Sequence, residues 1–480
     1  MAKVYKDLRE FLQTLEEEGQ LVRVKEEVNP EPDIGAAGRA ASSMPNGPAV
    51  LFENIKGYKG SVVTNVHGSW QNHALMMGMP KDTPTKEQFE ELNARWDKFP
   101  VPPNVVSREE APCKENVITE DINLFEVLPL YRINEQDGGF FISKASVISG
   151  DPDALDDFGR QNVGTYRIQV KDKDRIGIQA LPMHDIAVQL AKAERKNEPL
   201  PVAIALGNNP LVTFMASTPV GYSQNEYEFV GALQDGVPTD IVRADTAEHL
   251  FVPAGAEVVL EGYIIPRVRV VEGPFGEFPG SYSGSRLQCE IQVTRITHRT
   301  DPIFENLYLG MPWTEIDYLM ALNTSVPLYK QIKESFPEVV AVNAMYTHGI
   351  GVIISTKCRY GGYGKGVAMR LLSTPHGMPY SKIVIVVDEF VDPFNLEQVM
   401  WALTTRVLPH KDVTMIENAP GMPLDPSSNP AGMTTKLIID ATTPVAPEPN
   451  PRAVELLKDP VGTAEWTTII KGLQAAMDEK

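Results

Sequence analysis

The sequence has 480 residues, of which 42% are hydrophobic and 22% are charged. This is an ordinary globular composition, and at roughly 150 residues per domain the length predicts two to four domains. The 44 Lys and Arg residues against 63 Asp and Glu residues give a formal net charge of −19, which argues against a nucleic-acid-binding surface and against an anionic-membrane binder.

Cysteine usage and the N-terminal residues indicate a cellular compartment. The 3 cysteines are far apart and form no CxxC motif, which predicts a reducing environment without a disulfide framework. The first 20 residues are charged throughout and lack a signal-peptide pattern. No apolar run reaches the ~18 residues of a membrane span, so we expect a cytoplasmic protein.

Residues 1–110 have the pattern of an α/β segment. Apolar residues at helical spacing predict an amphipathic helix from Asp7 to Glu18, and Gly19 ends it. AVLFENI and SVVTNV predict strands, and a second helix is expected from Lys86 to Lys98. The proline-rich stretch Pro100–Asn104 predicts an extended linker before the next domain.

Residues 111–312 consist mainly of short β-rich runs that end at Gly, Pro, Asn or Asp. Helices are expected only near Asp185–Lys196 and Glu226–Leu233. Many strands with few helices predict a β-barrel. The runs that we assign to strands are ISKASVISG, VGTYRIQVKD, RIGIQALP, VAIALG, AEVVLEGYIIP and LQCEIQVTRITH.

Residues 313–480 change to apolar strands that alternate with helices. A long helix is expected over Glu315–Phe336, and the strands VVAVNAMY, GIGVIIST, SKIVIVVDEF, KDVTMIE and KLIIDAT follow it. This alternation predicts an α/β layer with a mostly parallel sheet. We expect an extended tail over Pro444–Pro451 and a last helix near Ile469–Met477.

The segment VEGPFGEFPGSYSG places Glu272 and Glu277 on either side of Gly-Pro-Phe-Gly. Positions five apart on a strand point to opposite faces, and Pro274 with two glycines would be costly in a helix. The segment therefore predicts a turn that brings both acids to one pocket. The alternative is a surface turn with two solvated acids.

Two further segments carry candidate polar residues. In NVGTYR, Gly164 would allow a bulge that brings Asn162 and Arg167 to one side of a strand; the alternative is a solvated edge arginine. In LPMHDI, His184 precedes a predicted helix whose first N–H groups could receive an anion; the alternative is a structural histidine.

A polar loop with Ser217, Thr218 and Ser223 precedes the helix that contains Glu226 and Glu228. Such a loop could present groups to a phosphate or a monovalent cation, and a simple helix-capping loop is the alternative. Asn, His and Glu are a plausible ligand set for Mn²⁺ or Mg²⁺, although their spacing matches no short metal motif. The segment RYGGYGKG lacks the spacing and the terminal Ser or Thr of a P-loop.

Taken together and in order, these segments resemble the UbiD family of prenylated-flavin decarboxylases. The resemblance covers essentially the whole chain, and EGPFGE is its most specific motif. It is closest to the large C subunit of bacterial hydroxybenzoate, or phenolic acid, decarboxylases. The family fold implies an N-terminal α/β segment, a split β-barrel that binds the flavin, and a C-terminal α/β oligomerisation domain, here residues 1–110, 111–312 and 313–480.

The resemblance also implies roles for individual residues. Glu277 would be the proton donor, in a network with Arg167 and Glu272. A divalent metal ion, usually Mn²⁺, would also hold the flavin phosphate; its ligands would be Asn162, His184 and Glu226. The residues that would contact prenylated FMN are Thr165, Tyr166, Arg167, Met183, His184, Ser217 and Lys436. Ser217 lies in a loop that binds K⁺ in relatives, and Met183 stands where several relatives have a polar residue, so one hydrogen bond to the flavin edge would be absent.

The activity implied is reversible, non-oxidative decarboxylation of a hydroxybenzoate, either 4-hydroxybenzoate or 3,4-dihydroxybenzoate. Arg167 would hold the substrate carboxylate, and an apolar pocket would keep Glu277 protonated. A flavin prenyltransferase would supply the cofactor, a small accessory subunit is a further expected partner, and the enzyme would be a homo-oligomer between a dimer and a hexamer. The alternatives are a decarboxylase of another aromatic or acrylic acid, an FMN oxidoreductase, and a non-catalytic assembly subunit.

Overall fold

The computed structural model describes residues 3–448, 457 and 459–478. Its N-terminal part begins with a helix that Asp7 caps by accepting the backbone N–H of Glu10. The extended linker predicted over Pro100–Asn104 is present. The elements of this part are α1 Leu8–Glu17, β1 Leu21–Val24, α2 Gly35–Ser42, β2 Ala49–Phe52, β3 Ser61–Thr64, α3 Trp70–Met76 and α4 Thr85–Trp96.

The middle part is built around a closed antiparallel barrel. Its elements are β4 Asn104–Val105, β5 Asn116–Ile118, α5 Leu124–Val127, β6 Phe141–Gly150, β7 Gln161–Asp172, β8 Arg175–Ile178, α6 Asp185–Lys196, β9 Leu200–Leu206, α7 Pro210–Ala216, α8 Glu226–Leu233, β10 Asp240–Arg243, β11 Phe251–Pro253, β12 Val258–Glu272, β13 Arg286–His298 and β14 Ile303–Glu305. The barrel order is β12–β9–β6–β7–β8–β13, and pairing of β13 with β12 closes it. The predicted β-barrel is confirmed.

The barrel part and the N-terminal part share one sheet. Its order is β1–β2–β3–β14, so a strand from the predicted flavin domain pairs with the N-terminal segment. Because this sheet crosses the predicted boundary at residue 110, the domain limits stay a prediction.

The C-terminal part is a layer of helices on a mixed sheet. Its elements are α9 Glu315–Leu319, α10 Leu322–Lys333, β15 Val339–Tyr346, β16 Gly351–Thr356, α11 Tyr363–Leu372, α12 Gly377–Tyr380, β17 Ile383–Asp388, α13 Leu396–Arg406, α14 Pro409–Asp412, β18 Val413–Pro420, β19 Met433–Ala441 and α15 Thr463–Asp478. The sheet order is β15–β16–β17–β19–β18. The pairs β16–β17 and β17–β19 are parallel, whereas β15–β16 and β18–β19 are antiparallel. The prediction of a mostly parallel sheet was wrong, because turns that join neighbouring strands directly allow only antiparallel pairing.

Other C-terminal predictions need correction. The helix predicted over Glu315–Phe336 breaks at Met320 and Ala321. The break lets Asn323 donate to the carbonyls of Phe214 and Ser217 at 3.2 and 3.0 Å, a tertiary contact that overrides the helical pattern. The last helix begins six residues earlier than predicted, and of the predicted extended tail the residues after Glu448 lie outside the described chain.

Apolar side chains from all three parts join into one large core, and a second, smaller cluster lies in the C-terminal part. No helix within the described ranges combines the length and apolar character that crossing a membrane requires.

Candidate active site

Arg167 lies on β7 and is paired with Glu272, the last residue of β12. The guanidinium Nε and Nη2 donate to the two carboxylate oxygens at 2.8 and 2.9 Å. Glu277 contacts the remaining Nη1 edge of the same guanidinium. The arginine also lies over the ring of Phe275, 5.4 Å from its centre. One arginine is therefore held between two acids and an aromatic ring.

Both acids are buried, because the chain between them folds back as a turn. Glu272 is 0% exposed and Glu277 is 5% exposed, which excludes the alternative of a solvated surface turn. Gly273 has a φ of 90°, a left-handed conformation that favours glycine. The predicted turn is thus present, and it delivers both carboxylates to the same side chain.

Residues outside the motif hold this turn in place. The carboxylate of Asp137 accepts the backbone N–H of Gly276 at 2.8 Å, and Ser283 Oγ accepts the N–H of Phe275 at 3.2 Å. The backbone N–H of Gly273 donates to Gln169 Oε1 at 3.2 Å. Sequence reasoning missed Asp137 and Gln169 because they lie more than 100 residues from the motif, and no local pattern marks them.

The predicted bulge at Gly164 is wrong. Strand β7 pairs regularly with β6 from Gln161 to Tyr166, and the irregularity is on β6, where two residues oppose Arg167. On a regular strand Asn162 and Arg167 point to opposite faces. Asn162 instead shares a face of β7 with Tyr166, which is four residues along the strand.

The three predicted metal ligands lie around Tyr166. Asn162 lies four residues before it on the same strand, and the imidazole of His184 packs against its ring with 5.2 Å between ring centres. Glu226 is the first residue of α8 and accepts the backbone N–H of Val163 at 3.0 Å. Their role as ligands stays a prediction.

The electrostatics of these three residues fit a divalent cation. Glu226 is buried and forms no ion pair within the described chain, so burial raises its pKa well above the usual value. Burial lowers the pKa of His184 to about 4, which keeps its imidazole neutral as a metal requires. A divalent ion would supply the missing positive charge to this mixed oxygen and nitrogen set.

The remaining predicted cofactor contacts are only partly gathered here. Ser217 Oγ donates to Thr165 Oγ1 at 2.9 Å, which joins the end of α7 to strand β7. Met183 is half-buried and directly precedes His184. The ammonium of Lys436 donates to the carbonyls of Met378 and Ser381 at 2.7 and 2.5 Å, so it holds the segment of α12. Its direct contact with a phosphate stays a prediction.

Three residues of the C-terminal part approach this site and were not anticipated. The hydroxyl of Tyr380 lies 3.5 Å from His184 Nε2, and His376 stacks on the Tyr380 ring at 4.2 Å. His348 packs on Phe278, the neighbour of Glu277, with 3.9 Å between ring centres. His348 lies in the turn between β15 and β16, and the other two lie in or directly before the short helix α12. The spacing of residues in the sequence does not indicate that these segments approach the barrel.

A second group of residues of metal-ligand type lies elsewhere, and a lysine ammonium lies at its centre. Ligand atoms of His67, Glu305 and Glu315 all lie within 4.8 Å of one another. The ammonium of Lys144 lies among them, 2.6 Å from Glu305, 2.5 Å from Glu315 and 2.9 Å from His67. The lysine therefore takes the place that a cation would take, and this group is separate from Asn162, His184 and Glu226.

Family comparison assigns the chain along nearly its whole length. Three models of 3-octaprenyl-4-hydroxybenzoate carboxy-lyase match it in succession: the N-terminal domain over residues 12–92, the Rift-related domain over 104–312 and the C-terminal domain over 317–441. The chain is 80% identical over 474 residues to the phenolic acid decarboxylase of Sedimentibacter hydroxybenzoicus. The matched residues make up 98% of this chain and 99% of the relative. The chain belongs to the UbiD family of carboxy-lyases.

Solved structures of UbiD-family enzymes have the same fold. The vanillic acid decarboxylase of Sedimentibacter hydroxybenzoicus, in closed form, matches with a TM-score of 0.94 and 80% identity, covering 98% of this chain and 100% of that one. An evolved dimeric form of HmfF from Pelotomaculum thermopropionicum, in complex with prFMN, matches with a TM-score of 0.81 and 33% identity. The match covers 96% of this chain and 98% of that one. The predicted family, carboxy-lyase class and fold class are confirmed.

Proposed function

We propose that the protein decarboxylates phenolic acids, with 4-hydroxybenzoate or 3,4-dihydroxybenzoate as substrate. The observation that carries the proposal is the buried arrangement of Arg167 between Glu272 and Glu277. A guanidinium that is fixed on one edge can bind a carboxylate on its other edge. The names of the related phenolic acid and vanillic acid decarboxylases support this substrate class.

Each of the three charged residues has a distinct role in the proposed reaction. Arg167 binds the substrate carboxylate, and Glu272 keeps the guanidinium charged and oriented through its bidentate pair. The incoming carboxylate takes the Nη1 edge and releases Glu277 from the ion pair. Glu277 then takes up a proton from solvent, because a buried carboxyl without a counter-charge favours its protonated form. Glu277 then donates that proton to the ring carbon from which carbon dioxide has left.

The proposed cofactor is prenylated FMN, which, when bound, supplies an electrophilic ring for chemistry that amino-acid side chains cannot provide. Thr165, Tyr166 and Ser217 would line it. A divalent ion, proposed as Mn²⁺, would be bound by Asn162, His184 and Glu226. The HmfF complex with prFMN supports the choice of flavin. A K⁺ ion near Ser217 is part of the same proposal.

The proposed setting is cytoplasmic, as a homo-oligomer. A flavin prenyltransferase would make the cofactor, and a small accessory subunit is a further proposed partner. The formal charge of −19 is consistent with a substrate that is held by one buried arginine rather than by a basic surface.

The test is a panel of acids given to the protein after co-expression with a flavin prenyltransferase. We expect carbon dioxide release from 4-hydroxybenzoate, 3,4-dihydroxybenzoate or vanillate, whose para oxygen can push electron density onto the carboxyl-bearing carbon. Benzoate and 3-hydroxybenzoate lack that conjugation and should be inert. Protein made without the prenyltransferase, but with FMN, is the matched control and should be inactive.

Three outcomes would favour the alternatives. Turnover with plain FMN, or a nicotinamide-dependent spectral change, would indicate an FMN oxidoreductase. A preference for cinnamate-type acids would indicate a different decarboxylation chemistry. Inactivity of the reconstituted chain on every acid, restored by another subunit, would indicate an assembly role.

A further inference from the structure

The turn between β15 and β16 has an uncommon backbone. Thr347, His348 and Gly349 follow one another with φ values of 50°, 56° and 78°. A left-handed conformation is unfavourable for a β-branched residue such as Thr347. Such conformations persist only where surrounding contacts fix them, and they concentrate at functional sites.

The contacts that fix this turn lead to the candidate active site. The imidazole of His348 packs on Phe278, which directly follows the predicted proton donor Glu277. The ring of His376 lies beside the same turn, and its Nε2 is 3.7 Å from the position that a Cβ on Gly349 would occupy. His376 in turn stacks on Tyr380, whose hydroxyl approaches His184. His348 therefore stands in a chain of contacts between the predicted metal ligands and the Arg167–Glu277 pair.

One ring nitrogen of His348 forms no hydrogen bond within the described structure. The residue is 4% exposed, and its Nδ1 is buried without a hydrogen-bond partner among the described residues. Buried polar groups in native structures are usually hydrogen-bonded, so an unpaired one needs an explanation, such as a ligand. Burial also lowers the pKa of His348 to about 3, so the ring is neutral.

The chemistry of this nitrogen selects one kind of ligand group. A neutral imidazole cannot balance the charge of a carboxylate, and Arg167 already provides that function in the proposed reaction. It can accept a hydrogen bond from an uncharged O–H group or donate one to it. On a phenolic acid bound through its carboxylate, the free polar group is the ring hydroxyl.

We propose that His348 contacts the substrate and binds the ring hydroxyl of the phenolic acid through Nδ1, so that it selects hydroxylated over unsubstituted benzoates. This inference rests on the proposed function. It assigns substrate specificity to the C-terminal part, whereas the charged groups that act on the carboxyl end belong to the barrel.

The test uses the reconstituted holoenzyme and two ligands that differ by one hydroxyl. The KM for 4-hydroxybenzoate and the inhibition constant of benzoate are measured in wild type, His348→Ala and His348→Asn. In His348→Ala we expect KM to rise about tenfold, the effect of one lost hydrogen bond, while the benzoate constant stays within about twofold. Asparagine tolerates the left-handed backbone and carries a hydrogen-bonding amide, so His348→Asn should recover most of the affinity.

The outcomes separate a substrate contact from a structural role. A similar rise in both constants, or a change in neither, would overturn the assignment of His348 and leave the proposed function standing. Failure of His348→Asn to recover KM would also count against it. If the wild-type holoenzyme released no carbon dioxide from any hydroxybenzoate, the proposed function itself would fall.

Discussion

Arg167 uses its guanidinium asymmetrically. Glu272 occupies the Nε and Nη2 edge with two hydrogen bonds below 3 Å, and the rigid planar group is thereby locked in orientation. Glu277 occupies only Nη1, so this contact can be exchanged for a substrate carboxylate without loss of the first pair. We therefore expect the two acids to have different functions although the same turn presents them.

Glu277→Gln should abolish turnover while substrate and flavin still bind. The amide preserves the shape of the side chain but cannot supply the proton, and general acid groups contribute about 10²- to 10⁴-fold to rate. The measurement is kcat with 4-hydroxybenzoate, together with the visible spectrum as a check of flavin content. Glu135→Gln, on the exposed segment before Asp137, serves as the control and should behave as wild type. More than half of wild-type kcat in Glu277→Gln would mean that another residue is the donor.

Glu226→Gln should lose bound metal and flavin together. The substitution removes the only charge that the proposed ligand set offers and leaves its shape nearly unchanged. The matched control is Glu228→Gln, two residues later on α8 and half-buried, which has no assigned role. Metal analysis and the flavin spectrum of the purified proteins give the readout. Full flavin content in Glu226→Gln without metal would refute the proposal that the ion holds the cofactor.

At the scale of elements, the buried ammonium of Lys144 joins several parts of the chain. It lies on β6 and contacts Glu305 of β14, Glu315 of α9 and His67 after β3. Glu315 also accepts the backbone N–H groups of Asn65 and His67 at 2.8 and 2.9 Å. The lysine thus provides one positive charge where two buried carboxylates meet, and it is one of the two β6 residues that oppose Arg167.

Lys144→Met should destabilise the protein by about 3–5 kcal/mol, because it leaves buried carboxylates without a counter-charge. The control is Lys330→Met, which removes an ion pair with the exposed Asp97 and should cost about 0–1 kcal/mol. Urea unfolding monitored by tryptophan fluorescence compares the two variants. Equal losses of unfolding free energy in the two variants would show that the buried Lys144 ion pairs stabilise the protein no more than the exposed Lys330 ion pair.

Local sequence patterns predicted an element well where residues within one segment determine its conformation. The helix capped by Asp7, the barrel strands and the turn between Glu272 and Glu277 all follow from residues near in sequence. Features that depend on distant residues were missed or wrong. Asn323 breaks the predicted long helix by bonding α7, the bulge lies on β6 instead of at Gly164, and the C-terminal sheet is mixed. The histidines near the site have no motif, because a turn and a short helix bring them there from another part of the fold.

At the scale of the whole molecule, the candidate site is made by two parts of the chain. The barrel carries the charged residues Arg167, Glu272 and Glu277, whereas His348 and Tyr380 come from the C-terminal part. A change in the packing of the C-terminal part against the barrel would therefore alter the site without touching the ion pairs. This arrangement allows substrate preference to vary while the proposed acid chemistry is retained.

Buried neutral histidines make the stability of the whole molecule depend on pH, and His73 is the clearest example. It lies on α3, is 1% exposed and contacts Gln88 Oε1 at 2.7 Å, and burial lowers its pKa from 6.5 to about 4. Below pH 6.5 the unfolded chain binds a proton at this residue that the folded chain does not bind. The free energy of unfolding therefore falls as pH decreases through this window, by about 3 kcal/mol at pH 4.

Comparison of wild type with His73→Gln isolates this effect. Other titrating groups cancel in the difference, including Asp317 and Asp185, whose pKa values burial raises to about 6 and whose contribution has the opposite sign. At pH 7.5 wild type should be the more stable protein, because the imidazole packs against Phe214 with 5.3 Å between ring centres. Its advantage should shrink steadily between pH 6.5 and 4.5, as measured by urea unfolding at closely spaced pH values. A difference that stays constant over this range would mean that the folded protein accepts a proton at His73 as readily as the unfolded chain.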